Sequence, residues 1–245
     1  MAQERLDKLL ASRGIGSRKE VGQQIRAGRI TVNGVVCRDP ASKVEAATVC
    51  VMGVPIRTRK ERYFMLNKPE GVISATEDTE HKTVLELFPV QERTGLAPVG
   101  RLDKDTVGLL LVTDDGALNH ALTAPRRHVD KRYRAQVSGK LAADAQEQFA
   151  RGIVLRDGTV CRSAELMIAE EDTEGLTTVE VVLHEGKYHQ VKRMIAALGG
   201  HVERLERLSV GPIVLDADLA RGEYRALTET EIQSLFAACK EPCPQ

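Results

Sequence analysis

The chain has 245 residues, enough to bury a substantial core, and its 42% apolar and 29% charged content excludes a fibrous or disordered polypeptide. No apolar run reaches membrane-spanning length, and Met1-Ala2-Gln3-Glu4-Arg5 lacks the apolar core of a secretory signal, so a cytoplasmic protein is expected. The net charge of zero conceals an asymmetry: residues 1–62 hold 13 Lys plus Arg against 6 Asp plus Glu, whereas residues 63–245 hold 22 against 29. A basic module ahead of a mildly acidic body suits a protein whose first part attracts a polyanion and whose second performs a localised task.

In the basic module, Leu6, Leu9 and Leu10 share one helical face, and Gly14 and Gly16 stop that helix. Ser17 and Glu20 form a capping-box pattern that opens a second helix. Its apolar positions are Val21 and Ile25, its polar side carries Arg18, Lys19, Arg26 and Arg29, and Gly28 ends it. Two short strands follow about Asn33-Gly34, the strongest short hairpin signal. Two small helices with basic residues before a Val-Asn-Gly hairpin resemble the S4 RNA-binding domain, from Arg5 to about Val51. That resemblance implies contact with RNA backbone, which positions a target without choosing it. Residues 57–62 are basic and polar and are read as the linker.

In the body, Tyr63 to Leu66 is an apolar strand running into the turn Asn67-Lys68-Pro69-Glu70-Gly71. Thr83 to Phe88 is a short helical or extended piece, and Leu109 to Thr113 is an apolar run that fits a buried strand. Asp114-Asp115-Gly116 starts a helix through Leu122. Arg126 and Arg127 form a further basic patch, and Lys131 to Val137 reads as a strand. A helix over 142–151, strands over 160–168 and 177–183, a helix over 188–198 and a capped helix from Thr228 to about Ala238 complete the pattern. Without a regular βαβ rhythm or internal repeat, the class is α+β.

Several chemistries are excluded. Five scattered cysteines with no Cys-x-x-Cys pair indicate neither a disulfide framework nor a zinc knuckle. His184 and His189 approximate a zinc motif but stand five apart, about 140° around a helix, so no metal is expected. Nucleotide-binding glycine loops are missing, as is the Gly-x-Ser-x-Gly of serine hydrolases, so no cofactor is expected.

What remains is a carboxylate, Asp103, between Arg101 and Lys104, just before Gly108 and the apolar run. Residues 67–71, 100–108 and 185–194 together, behind an S4-like module, resemble the RsuA/RluB-type pseudouridine synthases over nearly the whole chain. The stretches 124–131 and 215–225 resemble the small-subunit branch. The resemblance implies an S4-like domain over 1–60 with the linker at its end, a catalytic domain over 61–240 and a tail over 241–245. The catalytic domain would hold a mixed, mostly antiparallel sheet flanked by helices.

The activity implied is isomerisation of uridine to pseudouridine in ribosomal RNA without metal or cofactor, most nearly at uridine 516 of the 16S molecule. The alternatives are a large-subunit synthase and a catalytically silent RNA-binding assembly factor. By the resemblance, Asp103 is the nucleophile, attacking either the anomeric carbon or C6, with Asp105 bonding its turn. Burial alone would raise the Asp103 pKa, so a cation is needed, and Lys192 or Arg193 is the implied partner. Tyr133 packs on the flipped base and can assist proton transfer, while Arg101 helps take the uridine out of its stack. The expected RNA contacts are Arg5, Arg18, Lys19, Arg26, Arg29, Lys68, Arg126 and Arg127, with Lys68 also supporting the site. The partner implied is ribosomal RNA in an assembling small subunit, bound by a monomer with no membrane association.

Overall fold

The computed structural model describes residues 4–13, 15–45, 49–56, 61–124, 127–171 and 175–240. The chain divides into two compact units, Met1–Glu61 and Arg62–Gln245.

The first unit contains β1 (Glu4–Arg5), α1 (Leu6–Ser12), α2 (Arg18–Arg26), β2 (Ile30–Val32), β3 (Val35–Val36), β4 (Lys43–Val44), β5 (Val49–Val51) and β6 (Val54–Pro55). Leu6, Leu9 and Leu10 of α1 meet Val21 and Ile25 of α2, all fully buried, against Ile30 of the sheet ordered β3-β2-β5-β6. The Ser17 side chain accepts from the Glu20 amide and Glu20 reaches back to the Ser17 amide, which satisfies two donors that a helix start otherwise strands. Asn33 and Gly34 both take positive φ, 52° and 79°, the conformation a two-residue hairpin turn demands. Asp7 is nearly buried and pairs with Arg5 and Arg18, at 3.0 and 2.9 Å. The Arg5 hydrogen bond, helped by Arg18, holds the Asp7 carboxyl well below the usual carboxylate range. Of the linker, residues 57–60 lie outside the described residues.

The second unit is built on a nine-stranded sheet among the described residues, its main path ordered β11-β12-β10-β13-β9-β7-β15. In chain order these elements are β7 (Tyr63–Lys68), β8 (Ala97–Pro98), β9 (Val107–Thr113), α3 (Gly116–Thr123), β10 (Lys131–Ser138), α4 (Ala145–Arg151), β11 (Glu165–Glu171), β12 (Thr177–Leu183), α5 (Gln190–Ala197), β13 (His201–Val210), β14 (Ile213–Val214), β15 (Tyr224–Ala226) and α6 (Glu229–Lys240). Every pairing is antiparallel except β9 with β13, so this is a mixed sheet in an α+β fold.

Alternation along β9 explains why its apolar run is continuous. Leu110 and Val112 face one core with Phe88, Phe149 and Met194, while Leu109 and Leu111 face a second with Leu118 and Leu235. The sheet is therefore covered on both sides at β9, whereas Arg132 and Arg134 leave one face of β10 exposed.

Three boundaries differ from the sequence reading. The strand expected from residue 160 begins at Glu165, the helix expected from 142 begins at Ala145, and α5 begins at Gln190, leaving Tyr188 and His189 in the preceding turn. The long strand β13 was not anticipated, because His201-Val202-Glu203-Arg204-Leu205-Glu206-Arg207 carries charge at most positions.

The parallel pairing sets Gly108 opposite Arg207. Gly108 has φ of 98°, and a Cβ there would meet the Arg207 carbonyl oxygen at 2.4 Å. Gly108→Ala is expected to lower unfolding stability by at least about 2 kcal/mol, from left-handed strain plus the backbone collision. Gly116→Ala, where nothing lies within 4 Å of the added atom, should stay close to wild type in the same denaturant titration.

Candidate active site

The turn after Leu102 is held by the backbone from several sides. The Thr106 amide donates to the Asp103 carbonyl at 3.1 Å, and the Gly71 amide donates to the Lys104 carbonyl at 2.9 Å. Ser74 clamps Leu102 in both directions, its hydroxyl donating to the carbonyl at 2.9 Å and accepting from the amide at 3.0 Å. Beneath the turn lies Lys68, fully buried at the end of β7. Its ammonium donates to the carbonyls of Thr106 at 2.8 Å, Asp103 at 3.0 Å and Pro69 at 3.1 Å. Burial pushes the Lys68 pKa down to about 8, even though Asp105, Asp103 and Glu70 pull it upward.

The Asp103 carboxylate itself stays 30% exposed at a cleft of about 410 Å³. His189 Nε2 lies 3.4 Å from one of its oxygens and Lys192 Nζ 3.7 Å from the other. Lys192 is closer to Asp105, at 2.6 Å. Burial pushes the Asp105 pKa up, but the Lys192 hydrogen bond and charge, with a backbone hydrogen bond and the His189 charge, together outweigh it and the net shift is downward. The loop before α5 is tied down by the nearly buried Glu185, which accepts from the Arg162 amide at 3.0 Å and from Gln190 Nε2 at 2.8 Å. Tyr133, 8% exposed on β10, lines the same cleft, and Arg101 stands exposed at its edge. A shielded carboxylate beside cations and an aromatic ring suits attack on a base removed from its stack.

The family model for RNA pseudouridylate synthases matches residues 62–197, and the S4 domain model matches residues 4–50. The chain belongs to the pseudouridine synthase family. Ribosomal small subunit pseudouridine synthase A of Escherichia coli is 44% identical over 94% of this chain and 99% of its own length. An uncharacterised RNA pseudouridine synthase of Bacillus subtilis, YtzG, is 43% identical over 94% of this chain and 98% of its own. A crystal structure of a pseudouridylate synthase superposes with a TM-score of 0.69 at 34% identity, covering 95% and 99% of the two chains. The chain is accordingly an isomerase, an S4 domain followed by a synthase domain.

Of the residues expected from the sequence of this synthase, the structure places Asp103, Tyr133 and Arg101 on one cleft, with Lys192 3.7 Å from the Asp103 carboxylate. Arg193 is a correction: it pairs with Asp157 at 2.5 Å. Consecutive helical residues point about 100° apart, so when Lys192 faces the turn Arg193 cannot. Lys68 is a second correction, since an ammonium with no exposure beneath the turn cannot reach RNA and serves only the supporting role. Arg127 is exposed, yet its guanidinium donates to the Cys239 carbonyl at 2.7 Å, which ties down the end of α6. Arg126 lies outside the described residues. Arg5 and Arg18 are engaged with Asp7, while Lys19, Arg26 and Arg29 are exposed.

His189 was missed as a site residue because it was weighed only as a metal ligand on a helix. It adopts a left-handed φ of 48° just before α5, and His184 binds Asp130 instead. Tyr188, the one exposed aromatic among the described residues, stacks on the His189 ring at 3.8 Å.

Lys68→Met should leave RNA affinity within about twofold of wild type and reduce the single-turnover rate by roughly 10- to 100-fold, because misplacing a reacting group by an ångström has that effect. Filter binding alongside rapid-quench kinetics checks both. A matching loss of affinity would return Lys68 to the RNA contacts. The same variant probes the titration. A lysine whose folded pKa is depressed loses stability as pH falls from its unfolded value toward 8, so wild-type stability should rise with pH across that window. Lys68→Met should lack that part of the rise in melts at matched ionic strength.

Proposed function

We propose that this synthase isomerises one uridine of ribosomal RNA to pseudouridine, with Asp103 as the nucleophile. The observation that carries this reading is a half-shielded carboxylate on a fixed turn, with Lys192 and His189 beside it, at a cleft that Tyr133 also lines. The relative in Escherichia coli is named for the small ribosomal subunit, which supports 16S RNA as the substrate; uridine 516 is the position that the sequence resemblance implies. An assembling particle in the cytoplasm is the setting in which that uridine is accessible to a monomer.

In the proposed reaction the target uridine leaves its stack with the help of Arg101 and packs against Tyr133, which replaces the lost base-stacking contact. Asp103 attacks the anomeric carbon or C6, the bond between N1 and the sugar breaks, the ring turns, and C5 takes over the bond to the sugar while the bond to Asp103 breaks and returns its carboxylate. The C5 proton is released and N1 gains one, so atoms balance with no oxidant. Lys192, 3.7 Å from the Asp103 carboxylate, supplies a positive charge beside the nucleophile. Lys19, Arg26 and Arg29, exposed on the S4 unit, neutralise phosphates and position the RNA. The domain limits that serve this division are 1–60 and 61–240.

The test uses RNA carrying uridine tritiated at C5. Wild type should release tritium from small-subunit ribosomal RNA or its particle, and Asp103→Ala should release none above background. Equal release from both proteins would remove Asp103 from the nucleophile role, and release confined to large-subunit RNA would overturn the 16S assignment. Replacing Lys19, Arg26 and Arg29 together by Gln should flatten the slope of log affinity against log salt by about 2. An unchanged slope would show that the S4 unit does not use these charges.

A further inference from the structure

Beside Tyr133 the cleft holds two cations, Arg207 and Lys131, that no carboxylate among the described residues meets in an ion pair. Arg207 of β13 is 3% exposed, and among the described residues its only side-chain hydrogen bond runs from Nε to the Leu109 carbonyl at 2.8 Å. Its Nη2 is buried with no partner, and no described carboxylate lies within ion-pair distance of it. Its neighbour Glu206 is committed to Arg221 at 2.8 Å. Lys131 of β10 donates to the Val129 carbonyl at 2.7 Å, and burial together with Arg207 pushes its pKa down to about 8. The hydroxyl of Thr106, on the Asp103 turn, is likewise buried without a partner. All three residues line the cleft.

A buried, unpaired guanidinium costs several kcal/mol, and unsatisfied buried polar atoms are rare in folded proteins. Two of them, with a second, half-buried cation, converging on one cleft mark a place for a ligand oxygen carrying negative charge. The register says which part of the substrate comes there. Tyr133 and Arg207 are directly opposed on adjacent antiparallel strands, and Lys131 lies two residues before Tyr133. Opposed residues share a sheet face, so a base lying on the Tyr133 ring has a carbonyl edge within reach of the guanidinium.

We propose that Arg207, with Lys131 and Thr106, forms an oxygen-binding subsite that receives a carbonyl of the target uracil and stabilises the negative charge on the ring once its bond to the sugar has broken. This rests on the reading of Asp103 and Tyr133 given above. When the bond from N1 to the anomeric carbon breaks, the electron pair remains on the ring and spreads over O2 and O4. The cations oppose that charge, which is discharged when C5 bonds to the sugar, the C5 proton leaves and N1 is protonated. The interaction is strongest while the base is detached, so it lowers the barrier more than it tightens binding.

The experiment is a cycle between protein and substrate. Wild type, Arg207→Gln and Lys131→Met are compared in single turnover on RNA containing uridine, 2-thiouridine or 4-thiouridine, since sulfur is a poor hydrogen-bond acceptor. Wild type is expected to slow about 10-fold on one of the two thio substrates. Arg207→Gln should be about 100-fold slower on uridine, as for loss of an oxyanion donor, and should lose most of its discrimination between uridine and that thio substrate. The comparison within each protein cancels any loss of folded material. If both variants keep the wild-type ratio of uridine to thio rates, the subsite is wrong and the cations are structural. The cycle is run on whichever ribosomal RNA wild type converts. A failed 16S assignment is therefore read from the substrate, a failed nucleophile from Asp103→Ala, and a failed subsite from the ratios alone.

Discussion

The site depends on one buried ammonium. Lys68 has no exposure and no carboxylate in hydrogen-bond contact; it is surrounded by main-chain carbonyls of the turn it supports. A carbonyl cage is a poor substitute for water, which is why burial lowers its affinity for a proton. The turn around Asp103 is irregular backbone, and its carbonyls would otherwise lie buried and unsatisfied. Lysine is the residue that fits, because one point charge with three donors can satisfy diverging carbonyls, where a planar guanidinium could not. The first motif thus fixes the second from below, and the third reaches it from above through His189 and Lys192.

This arrangement distributes charge unevenly. Around the Asp103 turn, Lys192 and Asp105 neutralise one another at the rim, where water can still screen them. Deeper in stand Lys68, Lys131 and Arg207; burial is the main cause of the lowered proton affinities of Lys68 and Lys131, and the charge of Arg207 adds to it. Beside these charges runs β9, whose two faces are packed by separate apolar cores.

Much of this was legible in the residues where local rules decide. The capping boxes at Ser17 and Thr228, the Asn33-Gly34 turn and the alternation from Leu109 to Val112 each state a local geometry that nothing distant overrides. Asp103, Tyr133, Arg101 and Lys192 were legible through their motifs. Strand β13 was not, since its charges mask the alternation of Leu205, Arg207 and Ser209 toward the interior, and an inward arginine looks like a surface residue until its surroundings are known. The choice between Lys192 and Arg193 needed the helix phase, and the role of His189 needed the left-handed residue that ends the loop before α5. Lys68 was misread for the opposite reason: a lysine beside a turn is ordinarily solvated.

The parallel contact of β9 with β13 also governs when the site comes into being. Arg207 reaches the Leu109 carbonyl across 98 positions of chain, and Asn67 is held by the Leu219 carbonyl across 152. Closures of that length form late, after the local helices and hairpins have organised. As the chain emerges from its own ribosome, Asp103 and Tyr133 are therefore synthesised long before the strand that lies between theirs. The nascent enzyme passes most of its synthesis without an assembled cleft, and competence arrives only as its final quarter is threaded into the middle of the sheet.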